Sequence, residues 1–146
     1  SKLTNTDMVI SHPRDWDVEY FGTDNLFIKL KNEDGTLSIY GGYFEGSTDY
    51  TSDSGQLFAL QTYLETEDYD YYNERSANVE IFSQNRVYMV DYSVRENSGD
   101  DIERKILSYI FTPGGEQFIF YCETTRDEFA QIDMLQIQEV FGSIRK

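Results

Sequence analysis

Leu26, Ile28 and Leu30 alternate with Phe27, Lys29 and Lys31, and this period of two predicts a half-buried strand. The turn Asn32-Glu33-Asp34-Gly35 follows, and Leu37, Ile39, Gly41 and Tyr43 continue the alternation. Asp-Gly between two such runs predicts a hairpin. Upstream, Met8-Val9-Ile10 is a short apolar start, and Pro13 turns His12 away from helical geometry. Over residues 54–65 the period changes. Leu57, Leu60 and Leu64 fall at i, i+3 and i+7, and Asp53 with Gln56 has the spacing of a capping box, so a helix is expected.

Residues 78–82 and 86–96 read as a second hairpin around Gln84-Asn85. Its longer strand is expected to place Tyr88, Val90, Tyr92 and Val94 on one face and Arg86, Asp91 and Arg95 on the other. Residues 102–112 and 117–123 form a third hairpin across Pro113-Gly114-Gly115, with Leu107, Tyr109 and Phe111 set against Lys105 and Ser108. Thr125 and Glu128 suggest a capping box opening a last helix over 126–144, striped by Ile137, Val140, Phe141 and Ile144. A one-sided helix needs a sheet to cover. Runs of antiparallel strands with two helices therefore predict an α+β fold, a single domain over residues 1–146.

Composition agrees that the chain folds. It is 39% hydrophobic and 16% aromatic, with 12 Tyr and 10 Phe, more large apolar surface than a disordered segment carries. Twenty-seven acids against 12 basic residues leave a net charge of −15. That field repels phosphate backbones and anionic lipid surfaces, and the basic residues are scattered, so nucleic acid is not expected as a partner. No segment reaches the roughly 20 apolar residues of a membrane helix, so direct membrane insertion is not expected either. The chain opens Ser1-Lys2-Leu3 with neither an apolar signal run nor an initiator Met. Read as a processed product, it is expected to have lost an upstream secretion or lipid signal. Cys122 is the only cysteine, which removes a disulfide framework or a multi-cysteine metal site and leaves the compartment open.

Three segments carry a likeness to a known family. Ile10-Ser11-His12-Pro13-Arg14-Asp15-Trp16-Asp17-Val18 has an apolar-Pro-x-x-Trp-x-Val opening. Phe118-Ile119-Phe120-Tyr121-Cys122 forms a late aromatic strand, and the closing helix ends Ile137-Gln138-Glu139-Val140-Phe141-Gly142-Ser143-Ile144. In this order they resemble the PsbP-like superfamily, named for an extrinsic photosystem protein and including a Ran-binding transport factor. Family members generally end the last helix in Ser-Phe, where this chain has Ser143-Ile144. The resemblance implies an antiparallel sheet flanked by helices as an α-β-α sandwich, and binding or assembly roles rather than catalysis. It also implies an exported lipoprotein type, hence an extracytoplasmic location.

Candidate chemistry is sparse. His12 is the only histidine, so any Ser-His-Asp or Cys-His triad must use it, and no nucleophile-elbow sequence accompanies it. Cys122 alternates with Phe118 and Phe120 and reads as a buried hydrophobe. No phosphate-binding glycine motif is present; Gly41-Gly42 reads as a strand bend and Gly114-Gly115 as a turn. No catalytic residue, resident metal or cofactor is assigned. Trp16 is expected to plug the sheet near the N-terminus.

The distinctive stretch runs from 44 to 74. It holds eight acids and no Lys, Arg or His, interleaved with tyrosines. From it and its border we select Tyr43, Tyr50, Asp53, Tyr63, Glu67, Asp68, Tyr69, Asp70, Tyr71 and Tyr72 as a contact surface for a protein partner. Tyrosine offers amphipathic contact area, and the carboxylates steer a basic partner. Two other readings stand beside it. One is a small-ligand carrier or carboxylate-based hydrolase with a pocket between sheet and helix. The other is a calcium-binding domain, although Asp49 to Gly55 lacks the Asp-x-Asp-x-Asp-Gly register. Oligomeric state is left open.

Overall fold

A computed structural model describes residues 8–21, 26–43, 52–126 and 128–146. Its elements in chain order are β1 (Asp17–Tyr20), β2 (Ile28–Lys31), β3 (Leu37–Tyr43), α1 (Asp53–Glu65), β4 (Tyr71–Phe82), β5 (Asn85–Arg95), β6 (Glu103–Phe111), β7 (Gln117–Thr124) and α2 (Gln131–Gly142). The seven strands join one sheet in the order β1-β2-β3-β7-β6-β5-β4, and all pairings are antiparallel. Two hairpin meanders meet where β3 pairs with β7. The connection carrying α1 crosses from the middle of the sheet to its far edge.

Strand alternation sends side chains to two faces, and each face is covered by its own helix. Leu60 and Leu64 of α1 pack with Tyr88, Val90, Tyr92, Val94, Leu107 and Tyr109. On the opposite face, Ile137, Val140 and Phe141 of α2 join Phe27, Leu30, Ile39, Val87, Ile106, Phe118, Phe120 and Cys122. The result is the expected α-β-α sandwich. Met8, Ile10 and Trp16 are buried in the α2 layer, where Val9 bridges to Arg145, so Trp16 plugs the core as expected. Ser143 Oγ donates to Ser11 O at 3.1 Å, and Ile144 is buried beside it.

Several expectations are corrected. The N-cap of α1 is Ser52, whose hydroxyl accepts from Gly55 N–H at 3.1 Å, while Gln56 is buried. The Asp53 carboxylate instead faces Arg86 and Tyr88. β4 begins at Tyr71 rather than at residue 78. Its first half lacks apolar alternation because it is an edge strand held mainly by its ladder to β5. The turn between them is Ser83-Gln84, with Ser83 at φ +56°, and Asn85 already pairs with Phe82. α2 starts at Gln131, not at 126. Ahead of it Thr124 Oγ1 accepts from Arg126 N–H, and the Asp133 carboxylate takes both the Ala130 N–H and the Arg126 guanidinium.

Charge misled the face assignments of two residues. Arg86 shares the parity of Tyr88 and lies on the α1 face, where both side chains reach Asp53. Lys105 shares the parity of Leu107 and lies on that face too, 4% exposed. On β5 the other face, carrying Val87 and Met89, is core against α2 rather than solvated.

Candidate functional site

The acidic, tyrosine-rich selection comes apart in three dimensions. Asp53 stands at the N-terminal end of α1, bound to Arg86 by two contacts of 2.9 Å and to Tyr88 at 2.9 Å. Tyr43 points to the α2 layer, its ring 4.9 Å from that of Phe27 and 5.6 Å from that of Phe118. Tyr71 has the opposite parity to Tyr72, which packs in the α1 layer, so it belongs to the other face of the sheet. Asp70 is paired with Arg95 at 2.8 Å, and Asp68 is exposed in the loop after α1. Tyr50 lies outside the described residues.

Tyr63, Glu67 and Tyr69 do come together. They border a hollow of about 330 Å³ between the C-terminal end of α1 and the sheet. Strands distant in sequence add Tyr40 from β3, Tyr121 and Ile119 from β7, Leu107 from β6 and Tyr92 from β5 to its wall. Tyr72 backs it, its ring stacked on Tyr69 at 6.2 Å and tilted against Tyr92 at 5.6 Å. Tyr40 and Tyr121 face each other across the β3–β7 ladder with ring centres 5.9 Å apart. Sequence reasoning missed Tyr40, Tyr92 and Tyr121 as site residues because they lie outside the acidic stretch. Their shared parity with the α1-facing residues of their own strands, Tyr40 opposite Tyr121 in the β3–β7 register and Tyr92 in line with Tyr88 and Val90, was the available signal.

The phenols around the hollow are held neutral. Burial, aided by the Glu123 carboxylate that accepts from Tyr40 Oη at 3.0 Å, pushes Tyr40 up. Burial and the charge of Glu67 raise Tyr63 and Tyr69. Burial, with Glu74 and Glu65 adding to it, takes Tyr72 to about 12. Tyr121 also rises to about 12, through burial that outweighs the opposing Lys105. Tyr92 is fully buried, and burial pushes its phenol up furthest. Tyr121 and Tyr69 add to that shift, Tyr69 as the polar neighbour of the buried Tyr92 hydroxyl.

Two lysines already use these rings. Lys29 Nζ lies 5.2 Å from the centre of Tyr40, and Lys105 Nζ lies 5.2 Å from that of Tyr121, both within cation–π range. Among the described residues, Glu67 is the one carboxylate lining the hollow, and no three His, Cys, Asp or Glu side chains gather as a cation site. His12 stands elsewhere, lining a cleft against α2 with Ser11, Pro13, Glu139 and Val140. Cys122 is fully buried, and burial raises its thiol pKa.

No helix among the described residues is long and apolar enough to cross a membrane. No family model and no curated relative matches the sequence. Among solved structures, the chain is similar to cyanobacterial PsbP (CyanoP) from Synechocystis sp. PCC 6803, with a TM-score of 0.59 and 13% identity over 99% of this chain and 89% of that one. At that identity the likeness speaks for architecture alone, and it agrees with the opening motif, aromatic strand and closing helix: the chain has the PsbP-like fold.

Proposed function

We propose that this chain is a non-enzymatic, extracytoplasmic binding domain that engages a protein partner through the tyrosine-walled hollow at the C-terminal end of α1. The observation that carries the reading is the convergence of Tyr40, Tyr63, Tyr69, Tyr92 and Tyr121 from four elements and a loop onto one concavity. Tyrosines in such numbers supply rigid contact area with polar tips, a composition that interfaces favour. The net charge of −15 adds long-range attraction for a basic partner.

A second reading, a small-ligand carrier, draws support from the same volume, which lies at the lower end of ligand-pocket sizes. Among the described residues, the carboxylate hydrolase reading lacks a second carboxylate beside Glu67 in that wall. The test is affinity capture from the native source with the immobilised chain. Tyr63→Ala combined with Tyr69→Ala should release a partner that Tyr71→Ala, on the opposite face, retains. Equal capture by both variants rejects the hollow as the contact surface.

A further inference from the structure

A separate hollow of about 590 Å³ opens at one end of the sheet. Arg86 pairs with Phe111, which sets the β4–β5 and β6–β7 turns at that same end. The segment after α2 lies against them: Arg145 exchanges backbone hydrogen bonds with Val9, and Asn85 donates to Ile144 O at 2.9 Å. The hollow shares no lining residue with the tyrosine-walled one, and its volume is that of a small-molecule pocket. Most of its wall is carbon, Pro113, Gly114 and Gly142 included. Its charged lining residues are Glu116, Arg145 and Lys146. Glu116 accepts from the Thr112 hydroxyl and lies 3.3 Å from Lys146 Nζ, so these two charges offset each other. Arg145 is left over. In a chain with 27 acids and 12 basic residues, Arg75, Arg86, Arg95, Arg104 and Arg126 each face a carboxylate. Among the described residues Arg145 faces none, in spite of that excess of acids. The net charge of −15 does not set the sign here, because charges beyond about 8 Å are largely screened at physiological ionic strength. An anion entering the hollow meets a local surplus of positive charge.

We propose that this hollow binds a small amphiphilic carboxylate, its head paired with the Arg145 guanidinium and its alkyl chain laid along the carbon wall. The guanidinium donates and the carboxylate oxygens accept, a match of planar groups that arginine suits. A primary alcohol offers the same chain without the charge, and an alkylammonium meets Arg145 with the wrong sign. The site is independent of the surface proposed for a protein partner, so neither reading depends on the other.

The test is isothermal titration calorimetry of the full chain with sodium hexanoate, joined to NMR of its backbone and side-chain groups. Saturable binding is expected, with shifts centred on Ser83, Gln84, Thr112 and Ile144. Hexan-1-ol and hexylammonium should bind at least about threefold more weakly, the worth of one exposed charge contact. Butanoate, two methylenes shorter, should bind about tenfold more weakly. Arg145→Gln keeps the backbone bonds to Val9 and should weaken hexanoate about threefold to fivefold. It should leave hexan-1-ol unchanged, a contrast that misfolding would not give. Glu116→Gln frees Lys146 and should tighten hexanoate by a similar factor. Equal affinity for hexan-1-ol, or no change on Arg145→Gln, overturns the carboxylate assignment. Shifts centred elsewhere, or no saturable binding, overturn the site. Neither result bears on the capture experiment with Tyr63→Ala and Tyr69→Ala, which decides the protein-binding surface separately.

Discussion

The ammonium of Lys105 sits 5.2 Å from the centre of the Tyr121 ring with its side chain only 5% exposed. Burial opposes the charge, yet the contact with Tyr121 and the carboxylates of Glu103 and Glu123 outweigh it, so the lysine titrates above its ordinary value. The glutamates are far more exposed than the lysine, and water screens part of the attraction. Lys105→Met keeps the apolar stem and should cost about 1 kcal/mol; Lys105→Ala loses the stem as well and should cost about 2–3 kcal/mol. Urea denaturation measures both. A Met variant as stable as the parent would show that the ammonium contributes nothing.

The same site makes stability sensitive to alkali. Tyr40, Tyr63, Tyr69, Tyr72 and Tyr121, with Lys105, all have folded pKa values raised above the unfolded ones. Below the unfolded values, near 10, both states hold these protons and stability is fully present. As pH rises, the unfolded chain releases them first, so the folded state loses stability until its own groups titrate. Denaturant midpoints should be level from pH 7 to about 9 and fall steeply above about pH 10. Phenolate absorbance should show part of the 12 tyrosines resisting ionisation in the native state. Titration of all of them with one value near 10 would contradict the buried arrangement.

Gly41 pairs with Ile28 on one side and Phe120 on the other. A Cβ there would stand 2.6 Å from two ring atoms of Phe120 and 3.1 Å from Ile28 Cγ2. Gly41→Ala should therefore destabilise by about 1–3 kcal/mol through overpacking, measured by urea denaturation. Gly41→Ala combined with Phe120→Leu should recover part of the loss; failure to recover any would locate the cost elsewhere.

Asn85 fastens the end of α2 to the start of β5. Its buried amide donates to Phe141 O and Ile144 O, each at 2.9 Å. Asn85→Ala leaves both carbonyls without that donor and should cost about 2–3 kcal/mol. Hydrogen exchange should then accelerate over residues 139–145 before the β6–β7 ladder responds. Unchanged exchange there would refute the fastening role.

Cys122 is fully enclosed beneath α2, and burial holds its thiol protonated well above the usual range. A thiol reagent should modify the native chain at least about a hundredfold more slowly than the unfolded chain, because both access and the thiolate are denied. Rapid stoichiometric labelling of the native protein would contradict the enclosure.

The antiparallel hairpins and two helices were legible in the chain because they depend on local periods and turns. Asp34-Gly35, with Gly35 at φ +72°, and the turn holding Gly115 at φ +92° needed little beyond their neighbours. Ile137, Val140 and Phe141 are buried as their spacing required, while Ile144, also buried, lies beyond the end of α2 at Gly142 rather than in the expected helix to 144. β4 was shortened in the reading because residues 71–77 have no apolar alternation, and their strand state comes from the ladder to β5. Parity puts Arg86 on the face of Tyr88 and Lys105 on that of Leu107; their charge predicts solvent instead, but an ion pair and a ring face let both side chains lie toward α1. For the site, Tyr63, Glu67 and Tyr69 were visible as neighbours in sequence. That Tyr40, Tyr92 and Tyr121 join them, while Tyr43, Asp53 and Tyr71 are carried away, was decided by which strands pair and which face each residue takes. Local periodicity determines the elements of this protein; pairing between distant strands determines which side chains meet, because only the register of the assembled sheet brings even positions of β3 and β5 and odd positions of β7 beneath the end of one helix.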